Sequence, residues 1–165
     1  MSGFDEVRPS RLVVAAAVLD RLECPTALLC AARSYPPEHA GQFELPGGKV
    51  EPAERPTEAL VRELDEEIGL STRLGAELVP PGDLAVPAPP RGGAGDDAPA
   101  WPVMHGFRMR VWLAEPTRVG DRGRAGAAHE RLEWVSLDPP SQVRQLPWLP
   151  ADLPIIEALV TVLGR

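Results

Sequence analysis

The chain has almost no lysine: Lys49 stands alone against sixteen arginines, and no run of basic residues occurs. With a formal net charge of −7, it repels the phosphates of DNA and RNA, which excludes polymeric nucleic acid as the expected partner. Cysteine is nearly absent as well. Cys24 and Cys30 are too few for a disulfide framework or a cysteine-based zinc site. Cys30 lies in the apolar run Ala27–Ala32 and reads as a small core residue. Long apolar runs are also missing. Leu12–Leu19 ends at Asp20, too short to span a membrane and without the flanks or cleavage site of a signal peptide. A soluble, cytoplasmic protein is expected. Its 165 residues fit one domain over 1–165.

Two short apolar runs, Leu12–Leu19 and Thr26–Arg33, read as buried strands separated by a polar turn. Pro46-Gly47-Gly48 bends the chain before a helix that starts near Arg55, since Pro56 fits only a first helical turn. Ala59, Leu60, Leu64 and Ile68 form its apolar stripe, and Gly69 closes it as a left-handed cap. Strands are expected at Thr72–Val79, Val103–Glu115 and Leu132–Val135. A closing helix is expected over Asp152–Leu163, with Asp152 at its N-cap. Between Pro80 and Pro102 the chain is rich in proline, glycine and alanine. It reads as a flexible excursion that buries little surface. Strands around a central helix, with a second helix at the end, imply an α/β protein in which a mixed sheet packs between helices.

The segment Gly48–Leu70, GKVEPAERPTEALVRELDEEIGL, carries the chemistry. Glu63, Glu66 and Glu67 sit at relative positions 0, +3 and +4 and project from one helix face. Carboxylates crowded in this way repel one another unless a cation lies among them, and an all-oxygen set favours a hard ion, Mg²⁺ or Mn²⁺. Glu63 and Glu67 are one turn apart, while Glu66 points about 60° to the side, placed for a second ion or a bound water. Glu54, just ahead of the helix, favours the positive end of its dipole, and Arg62 is suited to grip it in a two-pronged pair.

Gly48, five residues, Glu54, seven residues and then Arg62-Glu63-Leu64-Asp65-Glu66-Glu67-Ile68-Gly69-Leu70 reproduce the fixed positions of the Nudix box, G-x5-E-x7-R-E-U-x-E-E-x-G-U with U aliphatic. The lead-in Phe43–Lys49, FELPGGK, resembles the MutT-like branch of that superfamily. This resemblance covers the chain except for about the first ten residues and 80–102. It implies a Nudix-type α/β/α sandwich with the box on a loop–helix–loop. It also implies Mg²⁺-dependent hydrolysis of a phosphoric anhydride, and Gly48 (through its carbonyl), Glu63, Glu66 and Glu67 as metal ligands. Arg62 would hold Glu54. Many relatives have an additional glutamate as general base before a strand ending in Trp-Val. Here Ala128 stands at that place, so either Glu130 substitutes for it or Glu66 or Glu63 does the work.

For the substrate, the MutT-like resemblance implies that Arg33, at the end of the second strand, contacts a nucleotide. Lys49 joins it as a substrate-binding candidate. The segment Pro150-Ala151-Asp152-Leu153-Pro154 is similar to a base-reading segment of that branch. With aspartate at its centre it resembles the subgroup acting on CTP, dCTP and 5-methyl-dCTP, sometimes with oxidised purines. Ionised, Asp152 only accepts hydrogen bonds and suits cytosine N4; protonated, it donates to a ring nitrogen or carbonyl. As an N-cap it would instead serve the helix alone. Trp148 beside it either stacks on a base or fills the core. The leading expectation is a nucleoside triphosphate pyrophosphohydrolase that releases the monophosphate and pyrophosphate and cleans the nucleotide pool, for cytosine nucleotides or oxidised purine nucleotides such as 8-oxo-dGTP. Hydrolysis of a nucleoside diphosphate linked to another group, such as ADP-ribose, is the alternative within enzymes. A non-catalytic nucleotide-binding module is the alternative outside them. Homodimers are common in the family.

Overall fold

The computed structural model describes residues 11–90 and 93–165. β1 (Leu12–Val18) and β2 (Ala27–Arg33) occupy the two apolar runs. Along β1, Ala15 and Ala17 enter one core while Val14, Ala16 and Val18 enter another, as the two-residue period of a strand requires. The short strands β3 (Phe43–Glu44) and β4 (Gly47–Lys49) precede α1 (Pro56–Ile68). Then come β5 (Thr72–Leu78), β6 (Trp101–Pro102), β7 (Arg108–Pro116), β8 (His129–Ser136), α2 (Ser141–Arg144) and α3 (Leu153–Val162).

β4, β1, β7 and β5 lie side by side in one sheet, with β6 added beside β7; β3, β2 and β8 form a second sheet. β1 runs parallel to β7 over its whole length, and the other strand pairs are antiparallel. The sheet expected from the sequence is therefore split in two, joined by a bridge between Leu19 and Leu28. α1 packs Ala59, Leu60, Leu64 and Ile68 on one side, all fully buried, and α3 packs Ile155, Ile156 and Leu159 on the other. The result is an α/β/α sandwich, as expected.

Local chemistry fixes the ends of α1. Pro56 supplies the first turn, Glu58 accepts the Arg55 backbone N–H at 3.3 Å, and Gly69 takes φ 64°, where a side chain would be strained. Truncating a buried leucine such as Leu64 to alanine would cost about 2–5 kcal/mol.

Three expectations need correction. The strand read over Val103–Glu115 begins only at Arg108. Met104–Gly106 forms a 3-10 turn in which His105 (φ 62°) and Gly106 (φ 73°) reverse the chain, so that β6 folds back on β7 with Trp101 opposite Met109. The strand read as Leu132–Val135 is longer and starts at His129, because it pairs with all of β2. The segment 80–102, whose Arg91 and Gly92 lie outside the described residues, buries more than its composition suggests. Ala100 and Trp101 are buried, the Trp101 indole donates to the Leu78 carbonyl at 2.9 Å, and Asp96 accepts two bonds from Arg108.

Candidate functional site

The bend at Pro46-Gly47-Gly48 lays β4 against β1, with Gly48 opposite Val14, and carries the chain over the face of α1. A Cβ on Gly48 would overlap the Glu63 carboxyl group, so glycine lets loop and helix approach closely without displacing that side chain. A cavity of about 460 Å³ opens beside this contact. Arg33, Glu44, Gly48, Lys49, Glu67 and Asp152 all line it.

Arg62 organises the box. Its Nε donates to Glu54 Oε2 at 2.7 Å and its Nη2 to Glu54 Oε1 at 2.9 Å. Nη1 donates to Glu63 at 3.0 Å and to Glu66 at 3.2 Å, and Nη2 also reaches the Lys49 carbonyl at 3.2 Å. The pairing with Glu54, reinforced by Glu63, holds the guanidinium pKa above its ordinary value, and the same bond lowers that of Glu54. The cation among the crowded carboxylates is thus, in this structure, the guanidinium of Arg62.

Glu67 stands apart from that cluster. Its carboxyl is pushed up to about 7, by burial first and then by Glu63 and Glu44, against the opposing pull of His129 and Arg33. Glu63 is raised too, by burial first, with Arg62 opposing. Among the described residues, Glu67 makes no side-chain hydrogen bond, and no three acids, histidines or cysteines converge closely enough to hold a metal ion. Of the expected ligand set, Gly48 and Glu67 line the cavity, while Glu63 and Glu66 are held by Arg62. The donors nevertheless suit a hard divalent ion: a half-buried carboxyl with an unsatisfied charge demand, beside a glycine that admits close approach. Gly48, Glu63, Glu66 and Glu67 are the residues that would hold it.

The far wall of the cavity belongs to the C-terminal segment. Phe43 N–H donates to the Pro147 carbonyl and Leu149 N–H to the Phe43 carbonyl, at 2.9 and 2.8 Å, which seats Pro150–Asp152 beside β3. Asp152 makes no capping bond, and its backbone is already helical, so the N-cap role is not realised. Its side chain is instead almost wholly buried on the cavity. Burial, with help from Glu44, raises its pKa well above the ordinary aspartate value, opposed by Arg33. Trp148 fills the core: it is buried, tilts against Phe43 and donates to the Val143 carbonyl at 2.8 Å. Lys49 and Phe107 also line the cavity, with the Lys49 Nζ 5.9 Å from the centre of the Phe107 ring.

At the place of the general base, Ala128 stands as expected and Glu130 does not. Ala128 does line the cavity, with no acid to offer. Glu130 is not brought there: its carboxylate, half exposed, pairs with Arg131 at 2.7 Å. The sequence reading also left two residues without a role, Glu44 and His129, which lie 3.0 Å apart. Both stand in the segments that carry the resemblance. Their proximity depends on strand pairing between positions 85 apart, for which the sequence offers no local signal.

Comparison with known proteins finds relatives over most of the chain. The NUDIX domain profile matches residues 10–159. A Mycobacterium tuberculosis protein provisionally named 8-oxo-dGTP diphosphatase 2 is 34% identical over 145 residues, covering 87% of this chain and 83% of its own length. The CTP pyrophosphohydrolase of Escherichia coli is 32% identical over 151 residues, covering 90% and 91%. Among solved structures, the E. coli ORF135 protein superposes with a TM-score of 0.64 at 28% identity, over 93% of this chain and 91% of that one.

Proposed function

This chain belongs to the NUDIX family and is a Nudix hydrolase, and from that premise we propose that it is a Mg²⁺- or Mn²⁺-dependent nucleoside triphosphate pyrophosphohydrolase. Water attacks an inner anhydride, and the products are a nucleoside monophosphate and pyrophosphate. The substrates are cytosine nucleotides (CTP, dCTP, 5-methyl-dCTP) or oxidised purine nucleotides such as 8-oxo-dGTP, which would make the protein a guardian of the nucleotide pool. The observation that carries this reading is the position of Asp152, buried and uncapped on the same cavity as Gly48 and Glu67.

When bound, a divalent ion supplies charge neutralisation at the phosphates and lowers the pKa of an attached water. The chain does the rest. Gly48 lets the loop approach Glu63, Arg62 fixes the loop to the helix through Glu54, and Glu67, one turn on from Glu63, contributes a carboxylate at the cavity. With Ala128 lacking an acid and Glu130 turned away, Glu66 or Glu63 takes the proton from the attacking water. Arg33 and Lys49 face the nucleotide. Asp152, whose pKa burial raises, offers in its neutral form one donor and one acceptor. That pair matches N3 and the amino group of cytosine, and equally O6 and N1–H of a guanine.

The test is pyrophosphate release with Mg²⁺ from CTP, dCTP, 5-methyl-dCTP, 8-oxo-dGTP and dGTP, with ADP-ribose beside them. Turnover of the cytosine set or of 8-oxo-dGTP supports the proposal and selects between its two classes. Cleavage of ADP-ribose alone refutes it. Ala128 is the one observation favouring a nucleotide-binding module instead, and silence on every compound by a folded, Mg²⁺-binding protein would establish that reading.

A further inference from the structure

In the smaller sheet, β3, β2 and β8 are neighbours, and each contributes one charged or titratable side chain to one face: Glu44, Arg33 and His129. Glu44 pairs with Ala31, which also pairs with Leu132, so this is the face turned toward α1, where Leu29 and Leu132 pack. Regular pairing would set Glu130 opposite Arg33. The ladder instead shifts at Ala32/Arg33, and His129 takes that place. A β-bulge re-aims a side chain in this way, here exchanging an acid for a hydrogen-bond donor. The exchange matters because Glu44 and Glu67 already bring two carboxylates to this wall. A third would repel both and compete for Arg33.

The bonds among these three side chains are specific. His129 Nε2 lies 3.0 Å from Glu44 Oε1, and Arg33 Nη1 donates to Glu44 Oε2 at 2.9 Å. A carboxylate only accepts, so Nε2 carries the proton, and Nδ1 is left buried without a partner. The imidazole is 1% exposed. Arg33 is held at a second corner, where Nε donates to the Tyr35 carbonyl at 3.0 Å. Its Nη2 makes no hydrogen bond among the described residues, at the wall of the cavity.

We propose that His129 is a positioning residue that acts through Glu44 to fix the guanidinium of Arg33 at the cavity wall, with Nη2 free for an oxygen of the bound nucleotide. The consequence for substrate rests on Arg33 as a nucleotide contact; the fixing of Arg33 does not.

The experiment follows the Arg33 Nε–H signal by ¹⁵N NMR in the full chain, together with KM and kcat for CTP and 8-oxo-dGTP. In wild type the signal is rigid and slow to exchange. In His129→Leu it becomes mobile, and KM rises about tenfold while kcat stays within about twofold, the loss expected for one charge-assisted bond. His129→Gln, whose amide retains a donor, restores both. Glu44→Gln breaks the same link with His129 intact and decides the matter if His129→Leu fails to fold. A rigid Arg33 signal in folded His129→Leu or Glu44→Gln overturns the proposal. So does a KM rise that multiplies with that of Arg33→Ala instead of vanishing in its background. If Arg33 loosens as stated but Arg33→Ala leaves KM unchanged, the positioning role stands and the nucleotide role of Arg33 is refuted.

Discussion

Arg62 grips Glu54 with two parallel hydrogen bonds, 2.7 Å from Nε and 2.9 Å from Nη2, tying the loop before α1 to the helix itself. Lysine keeps the charge but not the fork. Arg62→Lys is expected to cut kcat/KM at least tenfold, about 1.4 kcal/mol of transition-state stabilisation, and to lower the melting temperature. The pH dependence has a definite sign. Arg62 depresses the Glu54 pKa, so the pair stabilises the fold above the ordinary glutamate range and the contribution is lost as pH falls through the lowered value. Melting curves of wild type and Glu54→Gln should therefore separate near neutral pH and converge in acid. Equal melting at every pH would show that the pair carries no stability.

Gly48→Ala probes the close approach of loop and helix. The added Cβ overlaps the Glu63 carboxyl, and either the side chain or β4 must shift. Turnover should fall by at least about tenfold, since small misplacements of catalytic groups are costly. The melting temperature should change little if Glu63 swings away. Wild-type turnover in this variant would show that Glu63 and Gly48 do not act together.

Much of this site was legible because it is local. The fixed spacing of the box, the apolar stripe of α1 and the Pro56 and Gly69 signals all lie within one element and its flanks. What the sequence hid depends on pairing across strands. Arg108 and Arg110 look like the solvent side of an alternating strand, yet both are buried, matched by acceptors from the segment 93–98 and from β5. The bulge that trades Glu130 for His129 is equally silent, since no glycine or proline marks it. Asp152 shows a third kind of limit: its spacing fits an N-cap and a pocket residue alike, and only its burial and missing cap bond separate the two.

Glu67→Gln separates metal binding from folding. The variant should lose turnover by orders of magnitude, because it removes a charged ligand, and should lose most of the rise in melting temperature that Mg²⁺ produces in wild type. Without metal it should melt no lower than wild type at pH 8. Burial holds the Glu67 carboxyl up to about 7, so its ionisation as pH rises opposes folding, and glutamine is spared that cost. Retained turnover would remove Glu67 from the metal ligands.

Asp152→Asn tests whether the carboxyl works in its neutral form. The folded-state pKa is raised, so wild type loses stability as pH climbs from the ordinary aspartate range toward the raised value. The neutral amide does not. The Asp152→Asn variant should match wild type in acid and melt progressively higher than wild type as pH increases, read by differential scanning fluorimetry. Asp152→Ala, which removes donor and acceptor together, should raise KM by roughly tenfold or more. An unchanged KM in the alanine variant would leave base recognition to other residues.

Asp96 and Arg108 form the most buried ion pair among the described residues, with side chains 7% and 2% exposed. Arg108 Nη1 reaches both carboxylate oxygens, at 3.0 and 2.9 Å, while Nη2 donates to the Ala98 carbonyl at 3.0 Å. The pair latches the segment 93–98 onto the first residue of β7, directly after the Val103–Phe107 stretch that lines the cavity. Removing one partner leaves an uncompensated buried charge, so Asp96→Ala should cost about 3–5 kcal/mol and roughly 10 °C in melting temperature. Replacing both residues, as in Asp96→Leu with Arg108→Met, should recover most of that loss because no charge is then stranded. KM should rise in the single variant, as the wall carrying Phe107 loosens, and fall back toward wild type in the double. A single variant that melts within about a degree of wild type would show that the segment is held by the Trp101 anchor and the Val86–Ala100 bridge, with the ion pair adding nothing.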